Sequence, residues 1–439
     1  MSSKKQPMNV MLLTLILAST PLQNCWGGSW SSFQNGGRLS ETVEAGSTAP
    51  VQFDMEWTID IPGYGQSSPV HWKGTIYVTS VEGPQKETYF ISAYSAETAA
   101  MLWAHQVKNA TPQESSSYVS KAAPTPVVDQ SGVYVFFEGG NLLKLSHEGK
   151  PVWQRNLVKE FGSIESRHGL GASLEHNAES IFVWVERSEE PYVLSVDKMT
   201  GKDRWKTAGV GATSWSSPRL IPIDDSESHL VLSAIGSLTG IDPESGKVLW
   251  TFDQIAGNST PTPIPFGQGK FLIGATVGRG GNDAGLRPAE SNGVVEIKST
   301  EEGWKAEFVW RAAEATSSFG SPIIHQDRAY FVNKTGVLFC LDANTGQEQA
   351  KARIGGSLWA TPLAIGSRLY LFTKDGVLKI YTTDEPLKQI SERTIFQQPE
   401  AAAENPFGGK TLYAAIHLKD GFLIRSAWAL YRLKDKAPR

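Results

Sequence analysis

Cysteine is almost missing from this chain of 439 residues, which contains Cys25 and Cys340 alone. A sequence with so few thiols cannot build a disulfide framework, so burial of apolar surface must hold the fold together. Cys340 stands in the apolar run 337–341, and its simplest interpretation is a small buried residue rather than a reactive thiol. The sequence also contains no Cys-x-x-Cys-His motif for haem attachment.

Signatures of metal, nucleotide and nucleic-acid binding are also missing. The 8 histidines show no His-x-His or His-x-x-x-His spacing, and no phosphate-binding loop occurs. The glycine-rich segment 278–285 does not match the dinucleotide-binding pattern. The spacing of Asn282, Asp283 and Glu290 matches no known calcium-binding loop. A solvated loop is therefore the favoured interpretation of this segment. A net charge of −4 disfavours nucleic acid or an anionic membrane as the main partner.

No apolar run approaches the ~20 residues of a transmembrane helix. Near the start, Lys4 and Lys5 precede the apolar run 10–18, which is typical of a secretory signal. We therefore expect residues 1–28 to be a cleaved signal peptide, and the protein to be exported to the periplasm or the extracellular space. The segment 22–25 has the outline of a lipidation box, so an outer-membrane lipoprotein modified at Cys25 is an alternative to ordinary cleavage near Gly27 or Gly28.

What the sequence does contain is a repeat. Six tryptophans recur at intervals of 45 to 60 residues: Trp57, Trp103, Trp153, Trp205, Trp250 and Trp310. The clearest copies end a segment that begins with an Asp-x-x-Thr/Ser-Gly turn, as in 197–205 and 242–250. Aspartate can cap such a turn, glycine supplies its positive φ, and tryptophan fills the space between neighbouring units. A period of this length with strand patterns predicts a β-propeller.

Six of the repeats open with a Ser/Thr-Pro pair, because proline is tolerated where a strand begins. Together with the recurring turns and strand patterns, these pairs predict eight four-stranded antiparallel blades, with seven as the alternative. The last blade lacks an outer strand, and the segment around Trp57 resembles one, so an N-terminal strand is expected to close the ring. The expected organisation is a signal peptide at 1–28, a leader at 29–50, an all-β propeller at 51–435 and a tail at 436–439.

Loop lengths distinguish the two faces of the predicted propeller. Connections after the second and fourth strands of a blade open on one face, which we call the elaborated face because its loops are long. Connections after the first and third strands open on the other, the plain face, where the loops are short. Binding residues concentrate on loops, so the elaborated face is the predicted binding surface; drift of loop length without function is the alternative.

Nine residues are candidates on the elaborated face: Arg167, His168, Trp215, Arg279, Asn282, Asp283, Arg287, Phe319 and Trp359. Arginine forks and aromatic rings suit a peptide or a polar ligand. Packing between inner strands is the competing interpretation for the three aromatic residues, and a solvated loop is the competing one for His168.

The repeat, with its Ser/Thr-Pro openings, resembles the PQQ-like repeat over about residues 51–435. That family includes quinoprotein alcohol dehydrogenases and the BamB-like lipoproteins of outer-membrane assembly. The resemblance implies the fold. For the dehydrogenases it also implies an adjacent cysteine pair over the cofactor, a Ca²⁺ site and an aspartate base, and the adjacent cysteine pair is missing here.

These observations predict an exported, monomeric binding or scaffold protein, without cofactor or assignable catalytic residues, that docks a protein or peptide in cell-envelope assembly. The alternatives are a propeller that binds a small polar ligand and an oxidoreductase that uses PQQ and Ca²⁺.

Overall fold

The computed structural model describes residues 29–42, 51–112, 119–166, 168–211, 214–276, 285–398 and 410–436. In these residues the chain forms eight four-stranded antiparallel sheets, one of which gains a short fifth strand. The sheets follow one another around a central channel as the blades of a propeller. The all-β, eight-bladed fold predicted from the repeats is confirmed, and the seven-bladed alternative is wrong.

The strands of the first four blades are the following. Blade 1 contains β3 (Val70–Trp72), β4 (Thr75–Glu82), β5 (Thr88–Ser95) and β6 (Met101–Lys108). Blade 2 contains β7 (Val127–Asp129), β8 (Gly132–Phe136), β9 (Asn141–Leu145) and β10 (Pro151–Asn156). Blade 3 contains β11 (Glu175–His176), β12 (Ser180–Val185), β13 (Tyr192–Asp197) and β14 (Asp203–Ala208). Blade 4 contains β15 (Arg219–Pro222), β16 (Ser228–Ala234), β17 (Ser237–Ile241) and β18 (Val248–Phe252).

The other four blades have the same order. Blade 5 contains β19 (Ile264–Pro265), β20 (Lys270–Ile273), β21 (Gly293–Thr300) and β22 (Gly303–Arg311). Blade 6 contains β23 (Ile323–His325), β24 (Arg328–Val332), β25 (Val337–Asp342) and β26 (Glu348–Arg353). Blade 7 contains β27 (Leu363–Ile365), β28 (Arg368–Phe372), β29 (Val377–Thr382) and β30 (Gln389–Thr394), extended by β1 (Ser40–Glu41). Blade 8 contains β31 (Leu412–Leu418), β32 (Gly421–Ser426), β33 (Ala429–Asp435) and β2 (Phe53–Asp60).

Helix is confined to short pieces in the described residues. They are α1 (Leu157–Phe161) and two 3-10 turns, Phe33–Gly37 and Pro288–Ser291. None of the described helices is long and apolar enough to cross a membrane.

The N-terminal strand closes the ring, as predicted. Strand β2 pairs antiparallel with β33, from Phe53 opposite Asp435 to Asp60 opposite Ala429. The strand that precedes blade 1 thus supplies the outer strand of the last blade. This arrangement joins the first and last blades of the ring through the chain and leaves blade 8 with four strands.

The Ser and Thr residues of these openings link neighbouring blades by hydrogen bonds. The backbone N–H of each opening residue donates to the hydroxyl of the next one, over 2.8 to 3.3 Å, through Ser68, Thr125, Ser173, Ser217, Thr262, Ser321 and Thr361. Blade 3, which lacks the proline, still contributes Ser173. Because the donors are buried main-chain groups, the hydroxyl chain satisfies them while linking seven consecutive blades.

The repeated tryptophan and the repeated glycine are two halves of one contact. The indole N–H of Trp103, Trp153, Trp205 and Trp310 donates over 2.8 to 3.1 Å to a carbonyl in the third-to-fourth-strand turn of the next blade. The glycine of that turn lies against the ring so closely that an added Cβ would stand 2.5 to 2.7 Å from it, at Gly149, Gly201, Gly246 and Gly346. The glycine therefore serves the packing as well as the turn.

Where this contact is missing between blades 6 and 7, both of its members are replaced. Blade 6 has Ala350 in place of tryptophan, and the following turn of blade 7, 383–388, contains no glycine. Trp250 instead donates to His229 Nδ1 within its own blade, at 3.0 Å. The remaining core is apolar, and Cys340 is buried in it without a disulfide partner, as predicted.

Candidate functional site

The two faces of the propeller differ as the loop lengths predicted. Among the described turns, none on the plain face exceeds six residues. The elaborated face contains four connections of 17 to 19 residues: 109–126, 157–174, 274–292 and 395–411.

Five aromatic side chains form a connected row on the elaborated face, which we call the aromatic arc. Its members are Trp428, Tyr64, Tyr413, Trp359 and Phe319. Trp428 packs on Tyr64 with 5.3 Å between ring centroids, and the hydroxyls of Tyr64 and Tyr413 lie 3.4 Å apart. The ring centroid of Trp359 lies 5.5 Å from that of Tyr413 and 4.8 Å from that of Phe319. The arc runs from the loop before blade 6 to the seam between blades 8 and 1.

The two ends of the aromatic arc are exposed to solvent. Trp428 is 49% exposed and Phe319 is 41% exposed, while the three rings between them are half-buried. The Nζ atom of Lys334 lies 5.7 Å from the Phe319 ring centroid, so the Phe319 end also carries positive charge. Exposed aromatic rings backed by other rings are the composition found at the centre of protein interfaces.

The main chain below the arc is held firmly. The carbonyls of Trp428 and Ala427 accept hydrogen bonds from Ile61 and Gly65, at 2.7 and 2.9 Å. Beneath them the guanidinium of Arg425, fully buried, donates to the carbonyls of Ser67 and Thr79 at 2.8 and 2.6 Å. Burial lowers the pKa of Arg425. This arginine occupies the seam where the chain of Ser/Thr hydroxyls stops, so it joins blade 8 to blade 1.

The structure brings some of the predicted site residues together. Phe319 and Trp359 belong to the aromatic arc. His168 and Trp215 form a separate pair, with 5.7 Å between their ring centroids. The indole N–H of Trp215 donates to the carbonyl of Gly169 at 3.1 Å. The half-buried Trp215 therefore fits the packing interpretation.

Arg287 lies apart from both groups. Its guanidinium pairs with Glu290 at 2.9 Å at the start of a 3-10 turn. Four predicted residues lie outside the described residues: Arg167, Arg279, Asn282 and Asp283.

Sequence reasoning missed Tyr64, Tyr413 and Trp428. A signal for Trp428 was present, because this large aromatic residue follows strand β32 where a two-residue turn connects it to β33. Tyr64 stands in the loop that joins the last blade to the first. Neither residue stands in one of the four long connections, the feature on which the predicted binding surface depended.

The leader closes the channel from the plain face. Trp30, only 1% exposed, forms a two-way main-chain bridge with His71 on the inner strand of blade 1. The carbonyl of Ser31 accepts from Val128 in blade 2 at 2.8 Å. At the other end of the segment, β1 pairs in parallel with β27 of blade 7.

Gln34 is the centre of this plug. Its amide nitrogen donates to the hydroxyls of Ser321 and Thr361, at 3.0 and 2.8 Å, and its amide oxygen accepts from Arg219 at 3.0 Å. Arg219 also pairs with Glu175 at 3.1 Å, and both are buried. Burial raises the pKa of Glu175 and lowers that of Arg219. One leader side chain thus connects blades 4, 6 and 7.

At the plain-face end of the channel, the leader and the Arg219–Glu175 pair lie between the inner strands. Within the described residues, no group of three His, Cys, Asp or Glu side chains is placed to hold a metal ion.

Comparison with known proteins agrees with this architecture. A family model described as "Outer membrane protein assembly factor BamB" matches residues 54–173 and 149–386. No curated protein sequence matches the chain.

Solved structures share the fold at low identity. BamB from Moraxella catarrhalis is 12% identical with a TM-score of 0.60, covering 88% of this chain and 99% of that one. A europium-containing methanol dehydrogenase is 10% identical with a TM-score of 0.60, covering 90% and 89%. The quinohemoprotein alcohol dehydrogenase from Comamonas testosteroni is 12% identical with a TM-score of 0.62, covering 94% and 82%. At such identities the likeness shows the fold alone, because one propeller fold hosts unrelated functions.

Proposed function

The chain belongs to the family described as outer membrane protein assembly factor BamB, and from that premise we propose that it is an exported, non-catalytic scaffold. In this proposal it acts as a monomer in the periplasm, where its elaborated face docks a protein or peptide partner of the cell envelope. A lipid on Cys25 would tether it to the outer membrane.

The observation that carries the proposal is the aromatic arc. Trp428 and Phe319 expose large apolar surfaces on a rigid support, at the two ends of a row of rings in mutual contact. Aromatic anchors of this kind supply most of the binding energy at protein interfaces, because they bury much area and lose little conformational entropy.

Variants on the two faces test the proposal. The purified protein is immobilised and exposed to a periplasmic extract of cells that produce it, and the amount of the most enriched protein is measured. The triple variant Trp428→Ala, Phe319→Ala, Trp359→Ala should retain at most about a tenth of that amount, since loss of one hot-spot residue costs about 2 kcal/mol or more. The control variant Met101→Ser, Val152→Ser removes exposed apolar side chains from outer strands and should bind normally.

Two results would contradict the proposal. One is equal enrichment by the wild-type protein and the triple variant, provided that both have the same melting temperature. The other is a larger loss in the control variant than in the triple variant.

A further inference from the structure

A cavity of about 650 Å³ opens on the plain face, opposite the proposed docking surface. Its floor is the leader, and its walls are the inner-strand ends of blades 1 to 5. The charged and aromatic side chains that line it are Arg38, Trp72, Asp129, Glu175, His176 and Lys198. The volume is that of a site for a small molecule.

Both carboxylates in the wall already have a cation of their own. Asp129 pairs with the buried ammonium of Lys198 at 2.8 Å, and Glu175 pairs with Arg219 at 3.1 Å. Lys198 also donates to the carbonyl of Asn177 at 2.6 Å and lies 3.0 Å from Nδ1 of His176. Burial, followed by the charge of Lys198, lowers the pKa of His176 to about 4, so this imidazole is neutral at physiological pH. These pairs leave the wall itself without net charge.

One further cation lines the cavity. The guanidinium of Arg38 is exposed and forms no ion pair with any residue that the structure describes, although its charge favours the ionised form of Glu175 and so opposes the rise in the pKa of that carboxyl. The cavity therefore has an excess of positive charge, although the whole chain has a net charge of −4.

We propose that this cavity binds a small hydroxylated carboxylate, of the kind represented by a sugar acid. The planar guanidinium of Arg38 matches a carboxylate and can bind it through two parallel hydrogen bonds. Trp72 gives a flat apolar wall, against which the C–H face of a sugar ring can pack. Ser31 and Ser32 also line the cavity, and a serine hydroxyl can donate to or accept from a ligand's hydroxyl.

This site does not depend on the proposed function. It lies on the other face of the propeller, shares no residue with the aromatic arc, and is completed by the leader. A partner bound to the elaborated face would leave the cavity open.

Calorimetry with D-glucuronate and with D-glucose, its neutral match, tests the inference on the purified protein. Glucuronate should bind saturably, and glucose at least about tenfold more weakly, because a charge-assisted pair is lost. Arg38→Gln should weaken glucuronate binding about tenfold or more. Its melting temperature should not change, since Arg38 is exposed and bears no ion pair. Lys334→Gln, on the elaborated face, is the matched control and should bind glucuronate as the wild type does.

Three results would overturn the inference: no saturable binding of glucuronate by the folded wild-type protein, equal affinity for glucose and glucuronate, or unchanged affinity in Arg38→Gln. None of them bears on the docking surface, which the triple variant of the aromatic arc tests separately.

Discussion

At the residue scale, the contact between an outer-strand tryptophan and the glycine of the next blade's turn limits which residues can replace that glycine. At Gly346, φ is +74° and an added Cβ would lie 2.5 Å from the Trp310 ring. An alanine at Gly346 would therefore suffer both backbone strain and a collision with the Trp310 ring. Gly267 separates the two effects, because its φ is a similar +70° and an added Cβ there would have no atom within 4 Å.

We expect Gly346→Ala to lower the free energy of unfolding by about 2–4 kcal/mol, since both left-handed strain and overpacking contribute. Gly267→Ala should lower it by about 1–2 kcal/mol, from strain alone. Urea denaturation followed by tryptophan fluorescence measures both. Equal losses in the two variants would show that the contact with Trp310 carries no cost.

Two half-buried histidines give the fold a pH dependence. Burial lowers the pKa of both His176 and His417 to about 4, while an unfolded histidine titrates near 6.5. The unfolded state therefore binds more protons between these values, so this contribution is complete above about pH 6.5 and is lost as the pH falls towards 4. The raised pKa values of Glu41 and Asp435 act in the opposite direction at the acidic end.

The prediction is that the free energy of unfolding decreases as the pH is lowered from about 6.5 to about 4. Replacing His417 by Gln should flatten this dependence. His417 is the simpler choice because His176 lies 3.0 Å from the buried ammonium of Lys198, whereas the nearest carboxylate oxygen to the His417 imidazole belongs to Glu41, at 3.7 Å. An unchanged slope in His417→Gln would contradict the assignment.

At the element scale, the leader is a structural part of the propeller rather than a loose extension. Gln34 and Asn35 have φ of +54° and +49°, a costly left-handed conformation that turns the segment back on itself inside the channel. The buried hydrogen bonds of Gln34 and the burial of Trp30 offset that cost.

Gln34→Ala should lower the free energy of unfolding by about 1–3 kcal/mol, because it leaves Arg219 with fewer buried partners. The exposed Arg38 belongs to the same segment, and Arg38→Gln should change stability by at most about 0.5 kcal/mol. Thermal and urea unfolding compare the two variants. Similar stability in both would mean that the leader does not support the ring.

Sequence patterns revealed most of this fold and only part of its surfaces. The Trp period, the Ser/Thr-Pro pairs and the segment around Trp57 predicted eight blades and their closure, because each reflects a local requirement of a strand or turn. The plug could not be predicted in this way, since Gln34 meets Ser321 and Thr361 across about 300 residues of chain. The aromatic arc is equally non-local, so only Phe319 and Trp359 were found, through their positions before blade openings.

At the scale of the whole molecule, the two faces are built differently. The plain face holds the leader, the cavity beside it and short turns. The elaborated face holds the long loops and the aromatic arc over a rigid seam. Function is therefore expected to divide between a protein partner on one side and a small anion on the other.

The most direct test of this account is site-specific photo-crosslinking in living cells that produce the protein. A photoreactive amino acid replaces Trp428 on the elaborated face, and in a second variant Val152, which is 54% exposed on the outer strand of blade 2. The account predicts a discrete adduct of higher mass from position 428, lost when Phe319 and Trp359 are both alanine, and no such adduct from position 152. Adducts from position 152 alone, or none from position 428, would contradict the assignment of the elaborated face as the docking surface.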